Sequence, residues 1–88
     1  MSLTFPNRSR SYDERAGQIR FVGHDGMAQI SFLVEASAMA KIQPGSAASE
    51  AGYLAAFDAG SSAIHGVAAK AYERTHKSLY LLTAADFG

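Results

Sequence analysis

The segments on either side of Asp25-Gly26 alternate apolar or small residues with polar ones, and this short pattern constrains the fold more than any other stretch. A two-residue turn of the I′ type needs φ > 0 at both central positions, which an Asp-Gly pair supplies with little strain. With Asp25 and Gly26 at the tip, Ile19 faces Phe32, Phe21 faces Ile30 and Gly23 faces Ala28, all on one side of the ribbon. The other side pairs Arg20 with Ser31, Val22 with Gln29 and His24 with Met27. A slip of one residue would set Phe21 against Ser31 and spoil the buried face. A β-hairpin is therefore predicted over about 18–34.

Upstream, Arg10-Ser11-Tyr12 reads as a short strand, and Asp13-Glu14-Arg15-Ala16-Gly17 as a glycine-closed turn leading into the hairpin. Leu3-Thr4-Phe5 alternates too and offers a further edge, stopped early by Pro6. After Val34 the period changes. Ser37 is placed to cap a short helix over about 37–42, which ends ahead of Pro44 because the residue before proline resists the α region. A long helix is predicted over about 49–76, with Tyr53, Leu54, Phe57, Ser61, Ile64, Ala68, Ala71 and Tyr72 within roughly a third of its circumference. Such a rod would be about 40 Å long, against a diameter near 30 Å for a compact chain of this length. Either it breaks near Gly60-Ser61-Ser62, or its end projects and packs on another subunit. Ser78-Leu79-Tyr80-Leu81-Leu82 reads as a strand returning to the sheet, over about 78–82. Thr83-Ala84-Ala85-Asp86 has the form of a capping box with Asp in place of Glu. The expected fold is α+β: a small antiparallel sheet of three to four strands with one short and one long helix on one face. Ile19, Phe21, Ile30, Phe32, Leu54, Phe57, Ile64 and Leu81 are expected to form its core.

Composition sets the outer limits. The 88 residues allow one domain, 1–88, and a chain of this size buries only about 60–65% of its unfolded surface. Eight basic residues balance eight acidic ones, which argues against a surface built for polyphosphate or anionic lipid. The charge is nonetheless uneven, basic over residues 1–24, acidic over 25–58 and slightly basic again over 59–88. With no cysteine, the chain has no disulfide framework, thiolate metal site or thiol nucleophile. The start, Met1-Ser2-Leu3-Thr4-Phe5-Pro6-Asn7-Arg8, lacks an apolar leader core, and no stretch has the length of a membrane span, so a cytoplasmic protein is expected.

Arg20-Phe21-Val22-Gly23-His24-Asp25-Gly26 followed by Ile30-Ser31-Phe32-Leu33-Val34 resembles the corresponding segment of the domain of unknown function 1488 family, short and mainly proteobacterial proteins. The opening Leu3-Thr4-Phe5-Pro6-Asn7, the Tyr12-Asp13 pair, the Phe57, Ile64, Ala68 and Tyr72 series and the closing Tyr80–Phe87 segment fit the same pattern. The resemblance implies a small α+β fold in a bacterial protein and brings no catalytic residues with it.

Candidate chemistry is sparse. Gly23-His24-Asp25-Gly26 sets an imidazole beside a carboxylate, framed by glycines that let a ligand approach, so His24, Asp25 and Gly26 are the candidate ligand-binding residues. A structural turn explains the same residues, and no third group is at hand. Asp58, Ser61 or Ser62, and His65 have the four-residue spacings that let helix neighbours touch. The middle of a regular helix has no free N–H groups for an oxyanion, however, so no catalytic residue is assigned. His24, His65 and His76 lack the close spacing of a zinc helix motif, and His76 with Arg74 and Lys77 suits a helix C-terminus, so no metal site is expected. Without a glycine-rich phosphate loop, no cofactor is expected either. Arg8 and Arg10, near Tyr12, are the candidate nucleic-acid residues, although Asp13 and Glu14 interrupt the group.

The sequence thus leads to a small non-catalytic module acting on a protein partner or on its own copy, a possible dimer. The small residues of the long helix allow close backbone approach, with Ala59 and Ala63 as the candidate self-association positions. The alternatives are a small-ligand binder or enzyme using the His24-Asp25 turn, and a weak nucleic-acid binder using the N-terminal arginines.

Overall fold

The structure is a computed structural model and describes residues 3–5 and 10–87. Three strands open the fold, β1 (Arg10–Asp13), β2 (Gln18–Asp25) and β3 (Ala28–Glu35). A tight helical turn (Ala36–Ala38) leads into α1 (Met39–Ile42), and α2 (Glu50–Ala59) and α3 (Ser61–Thr75) follow. The chain returns in β4 (Leu79–Leu82) and closes with a second tight turn (Ala84–Phe87). No described helix is long and apolar enough to cross a membrane.

The four strands lie in the order β1-β2-β3-β4. The α+β class is as the sequence predicts, but the sheet is mixed: β1, β2 and β3 form an antiparallel meander, whereas β4 runs parallel to β3. The connection is the reason. From β3 the chain crosses one face of the sheet through the helices and re-enters beside β3 in the same direction, as a crossover must.

Strand alternation divides the sheet into two unlike faces. Ile19, Phe21, Ile30, Phe32, Val34 and Leu82 point inward and are buried with Met39, Phe57, Ile64, Ala68 and Tyr72 of the helical layer. Burying side chains such as Phe32, Ile19 and Ile64 contributes about 1.5–3 kcal/mol each. Phe21 and Phe32 stack with centroids 5.1 Å apart, and Phe57 meets Phe21 edge-on. Two expected core residues are placed differently. Leu54 is only partly buried at the rim, and Leu81 is half exposed. Because Val34 pairs with Leu82 and Phe32 with Tyr80, the even-numbered residues of β4 turn inward and Leu81 turns out.

The hairpin keeps its predicted face and changes its register by two residues. Ile19 lies opposite Val34, Phe21 opposite Phe32 and Gly23 opposite Ile30, with Asp25 and Ala28 as the last pair. The turn residues are Gly26 and Met27 rather than Asp25 and Gly26. Gly26 has φ +61°, while Met27 keeps a negative φ, the arrangement of a II′ turn with glycine in first place. The longer ladder brings Val34 against Ile19, and Asp25 joins the strand with its carboxylate on the inner face.

Within the span predicted as one helix, about 49–76, the structure places caps at Ser49 and His76. Ser49 Oγ accepts from the Gly52 N–H at 3.1 Å, and His76 takes the left-handed conformation (φ 52°) that ends a helix. Between the caps the helix is divided at Gly60 (φ −103°, ψ 15°), the first of the two solutions open to an overlong rod. A Cβ on Gly60 would lie 2.2 Å from Ile42 Cγ2, so the end of α1 packs into a notch that only glycine leaves open. The Cα envelope measures 36 × 23 × 21 Å. Ser37 does not cap the short helix: it lies exposed within the Ala36–Ala38 turn, and neither helical piece has a side-chain cap. At the other end of the chain, Asp86 Oδ2 accepts from the Thr83 N–H at 2.7 Å, one half of the predicted capping box.

Leu3–Phe5 does join the sheet, through one bridge. Thr4 and His24 exchange N–H to O hydrogen bonds of 2.8 Å, extending β2's pairing beyond β1. Leu3 and Phe5 lie over Gly23, where an added Cβ would be 2.9 Å from Phe5 Cε1 and 3.0 Å from Leu3 Cδ1.

Candidate functional site

His24 and Asp25 follow one another along β2, so their side chains leave on opposite faces of the sheet and do not converge. His24 lies on the open face, its backbone pairing with Thr4. Asp25 turns inward, where its Oδ2 accepts a 2.7 Å hydrogen bond from the Tyr72 hydroxyl. That hydrogen bond, with burial and the nearby carboxylate charge adding to it, raises the Tyr72 phenol above its ordinary pKa. Gly26 forms the exposed turn. The arrangement ties the hairpin tip to α3.

The Asp58, Ser61, Ser62 and His65 set is likewise divided. Asp58 faces β1, where Arg10 grips it in two hydrogen bonds of 2.9 and 2.8 Å. His65 stacks on Phe5 with centroids 4.0 Å apart and rings within 5° of parallel, and Phe21 and Phe57 close around it. Burial among these rings lowers its pKa and favours the neutral imidazole. No hydrogen bond joins the members of the set among the described residues, and no three His, Asp or Glu side chains there gather as metal ligands.

Arg10 is committed to Asp58, at side-chain exposures of 31% and 55%. A phosphate would have to displace a bidentate carboxylate to reach that guanidinium. Arg8 lies outside the described residues. Ala59 and Ala63 are both exposed on the outer surface of the α2–α3 layer. The tyrosines are bound up in the fold. Tyr53 packs on Tyr12 at 5.3 Å, and the Tyr80 hydroxyl accepts from the Lys77 N–H at 2.7 Å and pairs with Thr75 Oγ1 at 2.8 Å.

What sequence reasoning missed is the outer face of β4. Leu79 and Leu81 are 57% and 52% exposed, the most accessible large apolar side chains among the described residues apart from Met27 at the hairpin tip. Leu33 lies beside Leu81 across the β3–β4 ladder, and Val22 lies two strands from Leu79 in the next row. The signal was present in the strand itself. A half-buried strand needs apolar residues at every second position, and Leu79-Tyr80-Leu81-Leu82 has them at all four.

These elements define a small two-layer α+β protein, with Arg10, Asp25, Asp58 and His65 engaged in internal contacts and an apolar strand at one sheet edge. The chain belongs to the family described as protein of unknown function (DUF1488), whose model matches residues 3–82. Comparisons with curated proteins and with solved structures return no match.

Proposed function

We propose that the chain is a small non-catalytic protein-interaction module, working through the open face and outer edge of β3 and β4. The observation that carries this reading is the exposure of Leu79 and Leu81 on a terminal strand, since monomeric domains normally protect such an edge. The titratable groups support it. Asp25 holds Tyr72, Asp58 holds Arg10, and His65 stays in an aromatic stack, so a ligand using any of them would first break a contact that organises the fold.

The test is a photo-reactive amino acid placed at Leu81 in the full chain and irradiated in cells. The proposal expects protein adducts there and none from the same group at Lys70, an exposed position on α3. Absence of any protein adduct from Leu81 would overturn the interaction reading.

A further inference from the structure

We infer that the outer edge of β4 pairs with β4 of a second copy of this chain, antiparallel about a two-fold axis through Tyr80, so that two four-stranded sheets become one. This rests on the interaction reading above and names its partner.

The backbone pattern is self-complementary. The Ser31 N–H donates to Ser78 O at 2.9 Å, which fixes the alternation along β4: Ser78, Tyr80 and Leu82 bond toward β3. The N–H and C=O groups of Leu79 and Leu81 therefore point to the free edge. With Tyr80 on the axis, Leu79 of each copy lies opposite Leu81 of the other. Both are hydrogen-bonded pairs, so the junction closes with every outward group of the two residues satisfied. The strand itself carries no charge, proline or glycine to discourage such pairing.

Charge selects the direction. The chain enters β4 through exposed Arg74 and Lys77, with Glu73 at the base of this run, and leaves it beside Glu35 of β3 and exposed Asp86. An antiparallel pair sets the basic entry of one copy against the acidic exit of the other, whereas a parallel pair would bring Lys77 beside Lys77. On the open face, the antiparallel junction also joins Leu33, Leu79 and Leu81 of both copies into one apolar strip. An isologous contact of this kind closes on itself and does not propagate into fibres.

Standard stable interfaces bury about 1,200–2,000 Å². Pairing along four residues falls short of that, so a reversible dimer in the micromolar range is expected. The experiment is size-exclusion chromatography with light scattering over a wide concentration range, on the wild-type chain and on the Leu81→Lys, Leu79→Lys and Ala59→Glu variants. The wild-type mass should rise from 9.3 kDa toward twice that value. Either lysine variant should weaken the dimer by about 100-fold or more with an unchanged circular dichroism spectrum, because a charge on the edge opposes strand addition. Ala59→Glu should leave the dimer intact. A wild-type chain that stays monomeric throughout, a lysine variant that dimerises as tightly as the wild type, or loss of the dimer in Ala59→Glu would each overturn the inference. If both lysine variants unfold, amide NMR shifts of the wild type on dilution decide. Changes centred on Leu79–Leu82 support the pairing, and changes centred on α2 contradict it. Adducts from the Leu81 photo-probe to a different protein, with none to a second copy, would overturn the self-pairing and leave the interaction reading standing. No protein adduct at all would overturn both.

Discussion

The two edges of the sheet are built in opposite ways. At β1 the terminal strand is short and is followed by the charged turn Asp13-Glu14-Arg15. Arg10 reaches across to Asp58, Tyr12 packs on Tyr53, and α2 is held over the strand by both contacts. Leu3–Phe5 then covers the remaining stretch of β2 with one bridge at His24. β4 is equally short, but none of the other devices is present there among the described residues, and two leucines stand on the surface instead. A chain this small has little apolar surface to spare, and it needs every buried side chain to offset the entropy of folding. The contrast shows where the fold is complete in itself and where an apolar surface remains for a partner to cover.

Damage to the guarded edge should have the largest effect. Gly23→Val puts a branched side chain where even one Cβ would crowd Phe5 and Leu3, so Leu3–Phe5 should lift and leave a second free edge. The expected loss is about 2–3 kcal/mol in urea unfolding, accompanied by concentration-dependent aggregation. Unchanged stability would mean that this segment contributes little to guarding the sheet.

A smaller effect is expected from Tyr72→Phe, which removes the clasp between the hairpin tip and α3 and should lower Tm by a few degrees at neutral pH. The phenol titrates above its ordinary value of 10.0 in the folded chain, so its contribution is fully present below that pH and fades as pH rises through the folded pKa. Wild-type Tm should therefore fall in alkali, and the decline should be shallower in Tyr72→Phe. His65 has the opposite sign. Its pKa lies below 6.5 in the folded state, so its contribution is present above pH 6.5 and is lost as pH falls through the folded value. His65→Phe should flatten that acid limb in a Tm-against-pH series.

Asp58→Ala should cost only about 0.5 kcal/mol in urea unfolding, since the pair with Arg10 is largely exposed. Arg10→Ala should match it, and the double variant should cost little more than either. Smallest of all, Leu79→Lys should change the stability of the monomer by no more than about 0.5 kcal/mol, measured at a dilution where the dimer has dissociated. A larger loss would place Leu79 in the core rather than on a binding edge.

The sequence carried most of the fold through local signals. The alternation around Asp25-Gly26, the helical period of the residues over about 49–76 and the change of period after Val34 are properties of neighbouring residues, and each marks an element. Register and strand direction depend on contacts across the chain, and there the sequence was less informative. Asp25 lies in the ladder, where its carboxylate meets Tyr72, a residue 47 positions away. Gly60, where α2 ends, lies against Ile42 of α1, which leaves no room for a side chain. Leu81 was expected in the core because a lone apolar run does not say which of its alternate residues turns inward, and only the parallel pairing with β3 decides it. The candidate residues behaved similarly. Each histidine and carboxylate was visible from composition and spacing, but whether Asp58 meets His65 or Arg10 is a matter of tertiary placement.

The central claim is that β4 is an edge built to be paired and β1 an edge built to be left alone. Hydrogen exchange of individual backbone amides, measured by NMR at high and low protein concentration, tests it most directly. The Leu79 and Leu81 amides should be protected when the chain is concentrated and should exchange faster on dilution, while the Tyr12 amide keeps one rate throughout. Leu79 and Leu81 amides that exchange at a single, unprotected rate at every concentration would contradict the account.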